Sequence, residues 1–240
     1  MKQRKLPFHA VTLRVLALVF MLLDHMWGTI VPGNLWMTCL GRLTFPIFAF
    51  QTAEGYEHTS NLKQYAKRLL LFGLISEIPF NLVLGGSWFY PFHQNAMFTM
   101  AIGLLGLHAM NQAWTATDLP GRLKGCLGML GCVLLGAVTF VDYGAYGVMM
   151  ILLFGLSRRV PAGKLFQLAG MILINVFLME GQILLWGPLA IPLQAFAVLA
   201  LPLIWLYNGE KGPRNRLIQY GSYLFYPVHL TILYLIWYFS

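Results

Sequence analysis

The chain predicts an all-α integral membrane protein, a single polytopic domain over residues 1–240 with about nine transmembrane helices, its N-terminus cytoplasmic and its C-terminus outside. Three observations carry that prediction. Of the 240 residues, 58% are hydrophobic and only 10% are charged, whereas a soluble domain carries about a quarter charged residues. Apolar residues gather into segments of spanning or near-spanning length at 13–31, 43–60, 67–84, 96–114, 123–141, 144–157, 165–180, 183–207 and 218–239. Nothing alternates over the length of a barrel strand, and an open sheet edge cannot sit in lipid. Finally, the basic residues are not scattered. They collect at one end of the segments.

Lys2, Arg4, Lys5 and Arg14 precede or open the first segment, and Lys63, Lys67 and Arg68 lie between the second and third. Arg122 and Lys124 lie between the fourth and fifth, Arg158, Arg159 and Lys164 between the sixth and seventh, and Lys211, Arg214 and Arg216 between the eighth and ninth. If the segments alternate in direction, every one of the 16 Lys and Arg except Arg42 falls on the same side, which the positive-inside rule makes cytoplasmic. The net charge of +8 is then topology, and a nucleic-acid partner is not expected. Arg42, alone at the outer end of its segment, is marked as a residue with a task.

Taken in order, the first segment holds Arg14 and, in its interior, Asp24 and His25. Its apolar run is long, carries these two polar residues and lacks a small-residue cleavage pattern, so it reads as a retained span rather than a removed signal peptide. Ionisable groups inside a span cost a few kcal/mol each and mark functional sites by default. Arg14 and His25 share a helix face, about 16 Å apart along the axis. The second segment carries Glu54 and His58, and the third carries Glu77 with Asn81 at i+4. Counting from the basic flanks places His25, Glu54 and Glu77 at about the same mid-membrane depth, with Glu54 and Glu77 each about 13 Å inside. Asn95 and Thr99 open the fourth segment, and Asp142-Tyr143 begins a tight turn between the fifth and sixth. The sixth and seventh are short for a span. The eighth ends in a polar loop, and the ninth holds Tyr226-Pro-Val-His229, where the proline implies a kink. A single intramembrane Asn, Thr or Tyr is more often interhelical glue than chemistry. The three cysteines match neither a disulfide framework nor a metal signature, so no metal is expected.

Asp24-His25, the run Gly41-Arg-Leu-Thr-Phe-Pro-Ile-Phe-Ala-Phe, Ala53-Glu-Gly-Tyr, His58-Thr59, Tyr65, Arg68-Leu69 and Ile78-Pro-Phe-Asn81 together resemble the TraX family of membrane proteins. Asn95-x-x-Phe98-Thr99, Asp142-Tyr-Gly-Ala-Tyr-Gly147 and Tyr226-Pro-Val-His229 extend the resemblance to the end of the chain. It implies a bacterial cytoplasmic-membrane acetyltransferase: acetyl-CoA as cytoplasmic co-substrate, and as acceptor the N-terminal amine of a membrane-presented, pilin-like protein. The family is similar to a wider set of transmembrane acyltransferases that use a first-helix histidine after an entry like Arg14-Val-Leu-Ala17.

Within that chemistry His25 is the expected base, since its reference pKa lies near working pH. Consecutive helix residues point about 100° apart, so Glu54 or Glu77 is the expected partner of the imidazole, while Asp24 pairs elsewhere, through Arg42. Asn81, Asn95 and Thr99 are candidate donors to the tetrahedral intermediate or the acceptor, with Arg42, Tyr143, Tyr226 and His229 in the same acceptor or oxyanion group. Arg14, His58, Lys67 and Arg68 are the candidates for coenzyme A phosphates. O-acetylation of an extracytoplasmic glycan or lipid is one alternative. A proton-coupled transporter using the same intramembrane carboxylates and histidines is another.

Overall fold

The computed structural model describes residues 6–186, 188–213 and 216–240. Of the basic residues that set the expected orientation, Lys2, Arg4, Lys5 and Arg214 lie outside the described residues. In chain order the helices are α1 (Ala10–Thr29), α2 (Leu35–Gly41), α3 (Thr44–His58), α4 (Leu62–Phe80), α5 (Ala96–Thr115), α6 (Leu119–Val138), α7 (Gly144–Leu156), α8 (Gly163–Ile172), α9 (Ala200–Trp205) and α10 (Arg216–Phe239). Helix α4 runs on into a π turn over Asn81–Gly85, and α8 into another over Leu173–Leu178. Four segments, Ala10–Thr29, Leu62–Gly85, Leu119–Val138 and Tyr220–Phe239, are long and apolar enough to cross a membrane, and Gly144–Leu156, Gly163–Leu178 and Leu193–Trp205 are shorter apolar helices. The protein is a helical membrane protein.

The expected helix over 183–207 is corrected. Ile183–Trp186 and Leu189–Pro192 pair as an antiparallel hairpin, with Ile183 opposite Pro192 and Trp186 opposite Leu189. The helical part starts only at Leu193, as a 3-10 stretch to Leu199. Pro188 and Pro192 have no N–H to give a helix, and each ring would clash with the carbonyl four residues back. Helix α2, in a stretch left between apolar segments, is an addition to the expected set.

The chain forms two compact units, Met1–Gln51 with Gln167–Ser240, and Thr52–Phe166. In the first, Leu13, Ala17 and Met21 form the buried i, i+4, i+8 stripe of α1, which packs on α2 and α10. In the second, α5 packs against α4, α6 and α7. A Cβ on Gly125 of α6 would run into the backbone of Ala113 on α5, so the two helices touch main chain to main chain, as small residues permit in lipid. Ile102, Val141 and Val148 are buried beside them. The outward Leu74, Leu127, Leu134 and Val138 remain more than half exposed, a surface suited to lipid rather than water.

Candidate functional site

In the first unit, α1 presents Asp24 and His25 in two directions. Asp24 is held by the short helix α2 and the residue after it. Nη2 of Arg42 donates to both carboxylate oxygens, at 2.7 and 2.5 Å, and the Thr38 hydroxyl donates to Oδ1 at 2.7 Å. Thr38 and Arg42 stand at i and i+4, on one face of the same turn. Between them, Gly41 lies so close to Asp24 that a Cβ would overlap the carboxyl group. The acid is therefore neutralised and immobilised by its own clamp, at a position where an unpaired carboxylate would be costly.

His25 meets α10. Its Nδ1 lies 2.7 Å from Nε2 of His229, and Nδ1 of His229 lies 2.6 Å from the carbonyl oxygen of Phe225. The two imidazole planes differ by 4° and their centroids are 5.0 Å apart. Parallel rings with nitrogens 2.7 Å apart reach that centroid separation only when both nitrogens lie on the line between centroids, so the contact is an in-plane hydrogen bond and not a face-to-face stack. Phe225 stacks on His229 at 4.8 Å, and the ring of Tyr226 stands 6.2 Å from His25 and 5.8 Å from His229. His229 and Tyr226 are buried, and His25 is half-buried. At the other end of α1, Nε of Arg14 donates to Oε1 of Gln51 at 3.4 Å, and Gln51 donates back to the Ala10 carbonyl at 2.6 Å.

In the second unit, the two acids sit at opposite ends of α5, which corrects the expectation of a common depth. Glu54 pairs with Arg158, just past the end of α7, and with His58 at 3.2 Å. Arg159 reaches Asn111 near the end of α5 at 2.9 Å, and Glu57 at 3.6 Å. Glu77 instead accepts from Nδ2 of Asn95, the residue that caps the start of α5, at 2.6 Å. From Asn95 to Asn111 the helix rises about 24 Å. Counting back from Lys63 overstated the depth of Glu54, because α3 ends at His58 and Thr59 to Asn61 are not helical.

Of the expected donors in this unit, Asn95, Thr99 and Tyr143 are already engaged. The Asn95 amide also donates to the Gly73 carbonyl at 2.8 Å, and its oxygen caps the Met97 N–H at 3.1 Å. The Thr99 hydroxyl donates to the Asp142 carbonyl. Tyr143 is the left-handed N-cap residue of α7, at φ 62°, with its N–H on the Asp142 carboxylate. Among the described residues, the buried Oε1 of Glu77, Oδ1 of Asn81 and Nε of Arg68 have no hydrogen-bond partner. The Arg68 guanidinium lies 5.7 Å over the Tyr65 ring, and Lys67 is exposed.

Sequence reasoning passed over Thr38, Arg158 and His93. The i, i+4 spacing of Thr38 and Arg42 was the available signal for the first. Arg158 was absorbed into the topological charge, and His93, 3.5 Å from Asp142, lies in an aromatic loop with no periodicity.

The TraX protein family model matches residues 10–237. A probable fimbrial assembly protein, FimC of serogroup H1, from Dichelobacter nodosus is 34% identical over 253 residues, which covers 96% of each chain. No solved structure matches. The family match runs from the start of α1 into the last turn of α10, and the chain belongs to the TraX family.

Proposed function

We propose that the protein is a membrane-embedded acetyltransferase that takes the acetyl group of cytoplasmic acetyl-CoA to the N-terminal amine of a membrane-presented, fimbrial or pilin-like acceptor. The observation that carries this reading is the imidazole pair between α1 and α10. His25 is an ionisable group within a span, hydrogen-bonded in plane to a second histidine, in a chain related to a fimbrial assembly protein. A span keeps such groups at a cost that function repays.

In the reaction, the acceptor amine attacks the thioester carbonyl. His25 takes the proton that the nitrogen loses, the C–N bond forms, and the C–S bond breaks with the thiolate leaving and collecting a proton. The Asp24–Arg42 clamp keeps the carboxylate off the base, so that His25 remains free to accept. For the co-substrate's phosphates, Arg68 is the best-suited cation, since its buried Nε–H has no acceptor among the described residues and an arginine prefers phosphate oxygens. Lys67 and His58 are further cations of the same unit. Asn81 offers a bare acceptor oxygen, which suits an ammonium or hydroxyl better than an oxyanion.

The test is mass spectrometry of envelope proteins from cells with and without the gene. Loss of one acetyl group from the N-terminus of a surface-fibre subunit supports the reading. An unchanged protein acetylation pattern, with acetyl lost from a glycan or lipid instead, would move the acceptor to a hydroxyl. Substrate flux into vesicles without acetyl-CoA would make it a transporter.

A further inference from the structure

We infer that His229 is a positioning residue that fixes His25 in its Nδ1–H tautomer and so leaves Nε2 of His25 as a bare lone pair. The inference about tautomer stands on geometry alone; its catalytic meaning rests on the acetyl-transfer reading.

The Phe225 carbonyl fixes the first proton of the pair. A carbonyl oxygen can only accept, so the His229 nitrogen 2.6 Å away, Nδ1, carries hydrogen. In a neutral ring the other nitrogen, Nε2, is then the acceptor. The nitrogen facing it at 2.7 Å is Nδ1 of His25, which must therefore be the donor. That leaves the single remaining nitrogen of His25, Nε2, without hydrogen. One neutral assignment satisfies both hydrogen bonds, and it runs in one direction, from His25 through His229 to the backbone. The near-coplanar rings put the hydrogen on the line of the lone pair, and Phe225 packed on the His229 ring holds its plane.

A catalytic histidine is usually oriented by a carboxylate on its second nitrogen. Here the nearest carboxylate in sequence, Asp24, is committed to Arg42 and Thr38. A neutral imidazole takes the orienting place, anchored on a main-chain carbonyl in the same helical turn. When Nε2 of His25 receives a proton, the N–H···N bond strengthens and spreads the positive charge toward His229, whose outer N–H already faces an acceptor. A neutral partner serves this purpose in lipid without the desolvation cost of a second charge.

The experiment is nitrogen-15 NMR of the full chain, labelled at its 6 histidines, in micelles at a pH where the rings are neutral. Ring-nitrogen shifts distinguish Nδ1–H from Nε2–H. The wild type is expected to show both His25 and His229 as Nδ1–H. In His229→Leu the His25 signal moves toward the Nε2–H form, and acetyl transfer falls about ten- to a hundredfold. His229→Gln, whose side-chain oxygen can accept from Nδ1–H, restores the His25 tautomer in part. An Nε2–H ring at His25 in the wild type overturns the inference, as does an unchanged His25 tautomer in a folded His229→Leu. If His229→Leu does not fold, the wild-type spectrum alone decides. If His25 is Nδ1–H but no acetyl is transferred, the positioning holds and the proposed reaction falls.

Discussion

Asp24 and His25 are neighbours in sequence and face different partners, and the difference follows from the 100° turn between consecutive helix positions. The clamp on Asp24 is mostly removed from water, with side-chain exposures of 22% for Arg42 and 18% for Asp24. Replacing Arg42 with Met leaves a carboxylate without its cation, and thermal unfolding in detergent should show a loss of about 3 kcal/mol. Asp24→Asn in the same background should recover most of it, since the charge needing a partner is then gone. Gly41→Ala acts on the same clamp by pushing its Cβ into Asp24. At this scale the sequence was partly legible. The separation of Asp24 from His25 could be read from adjacency on a helix. The ring that touches His25 could not, because 204 positions separate the two histidines and helix periodicity says nothing about which distant helix packs alongside.

At the scale of elements, Asn95 joins two helices of the second unit: its oxygen caps α5, and its amide holds the Glu77 carboxylate and the Gly73 carbonyl of α4. Asn95→Ala should cost about 2–3 kcal/mol, more than a lost cap alone, because a buried carbonyl loses its donor as well. Asn95→Asp keeps the cap but sets a second buried carboxylate against Glu77 and the Gly73 carbonyl, and so should cost at least as much as Asn95→Ala. Near the start of the same helix, His93 donates to Asp142 at 3.5 Å. That hydrogen bond, and the carboxylate's charge, raise the His93 pKa above its ordinary value of 6.5. A raised folded pKa means that the pair's stabilisation is complete below pH about 6.5 and is lost as pH rises through the higher folded value. The melting temperature should therefore drop across that window in the wild type and lose this component in Asp142→Asn. Positions of the long helices were legible from apolar runs, and their ends much less so. The hairpin at 183–192 escaped because a short apolar run has the same composition as strand or helix, and only its prolines argue between them. Glu54 was placed too deep because residues were counted through a linker as though they were helical.

For the whole molecule, the strongest expectation from the sequence is that alternating spans would put Lys and Arg on one side. It predicts that a reporter fused after Ser240 is active only outside the cytoplasm, while one inserted at Lys63 is active only inside. Family membership, by contrast, was legible from a block of residues around Gly41–His58 whose structural sense emerges only in part: Gly41 and Arg42 serve the Asp24 clamp, and Glu54 and His58 serve an ion cluster with Arg158. In the proposed reaction, His25 is the base of an acetyl transfer. Purified full-length protein in lipid vesicles, given isotopically labelled acetyl-CoA and a peptide carrying the N-terminus of a fibre subunit, measures it directly. Wild type should label the peptide's amine, and a folded His25→Ala should lose about three orders of magnitude or more of that rate. Transfer by His25→Ala at close to the wild-type rate would show that His25 is not the base.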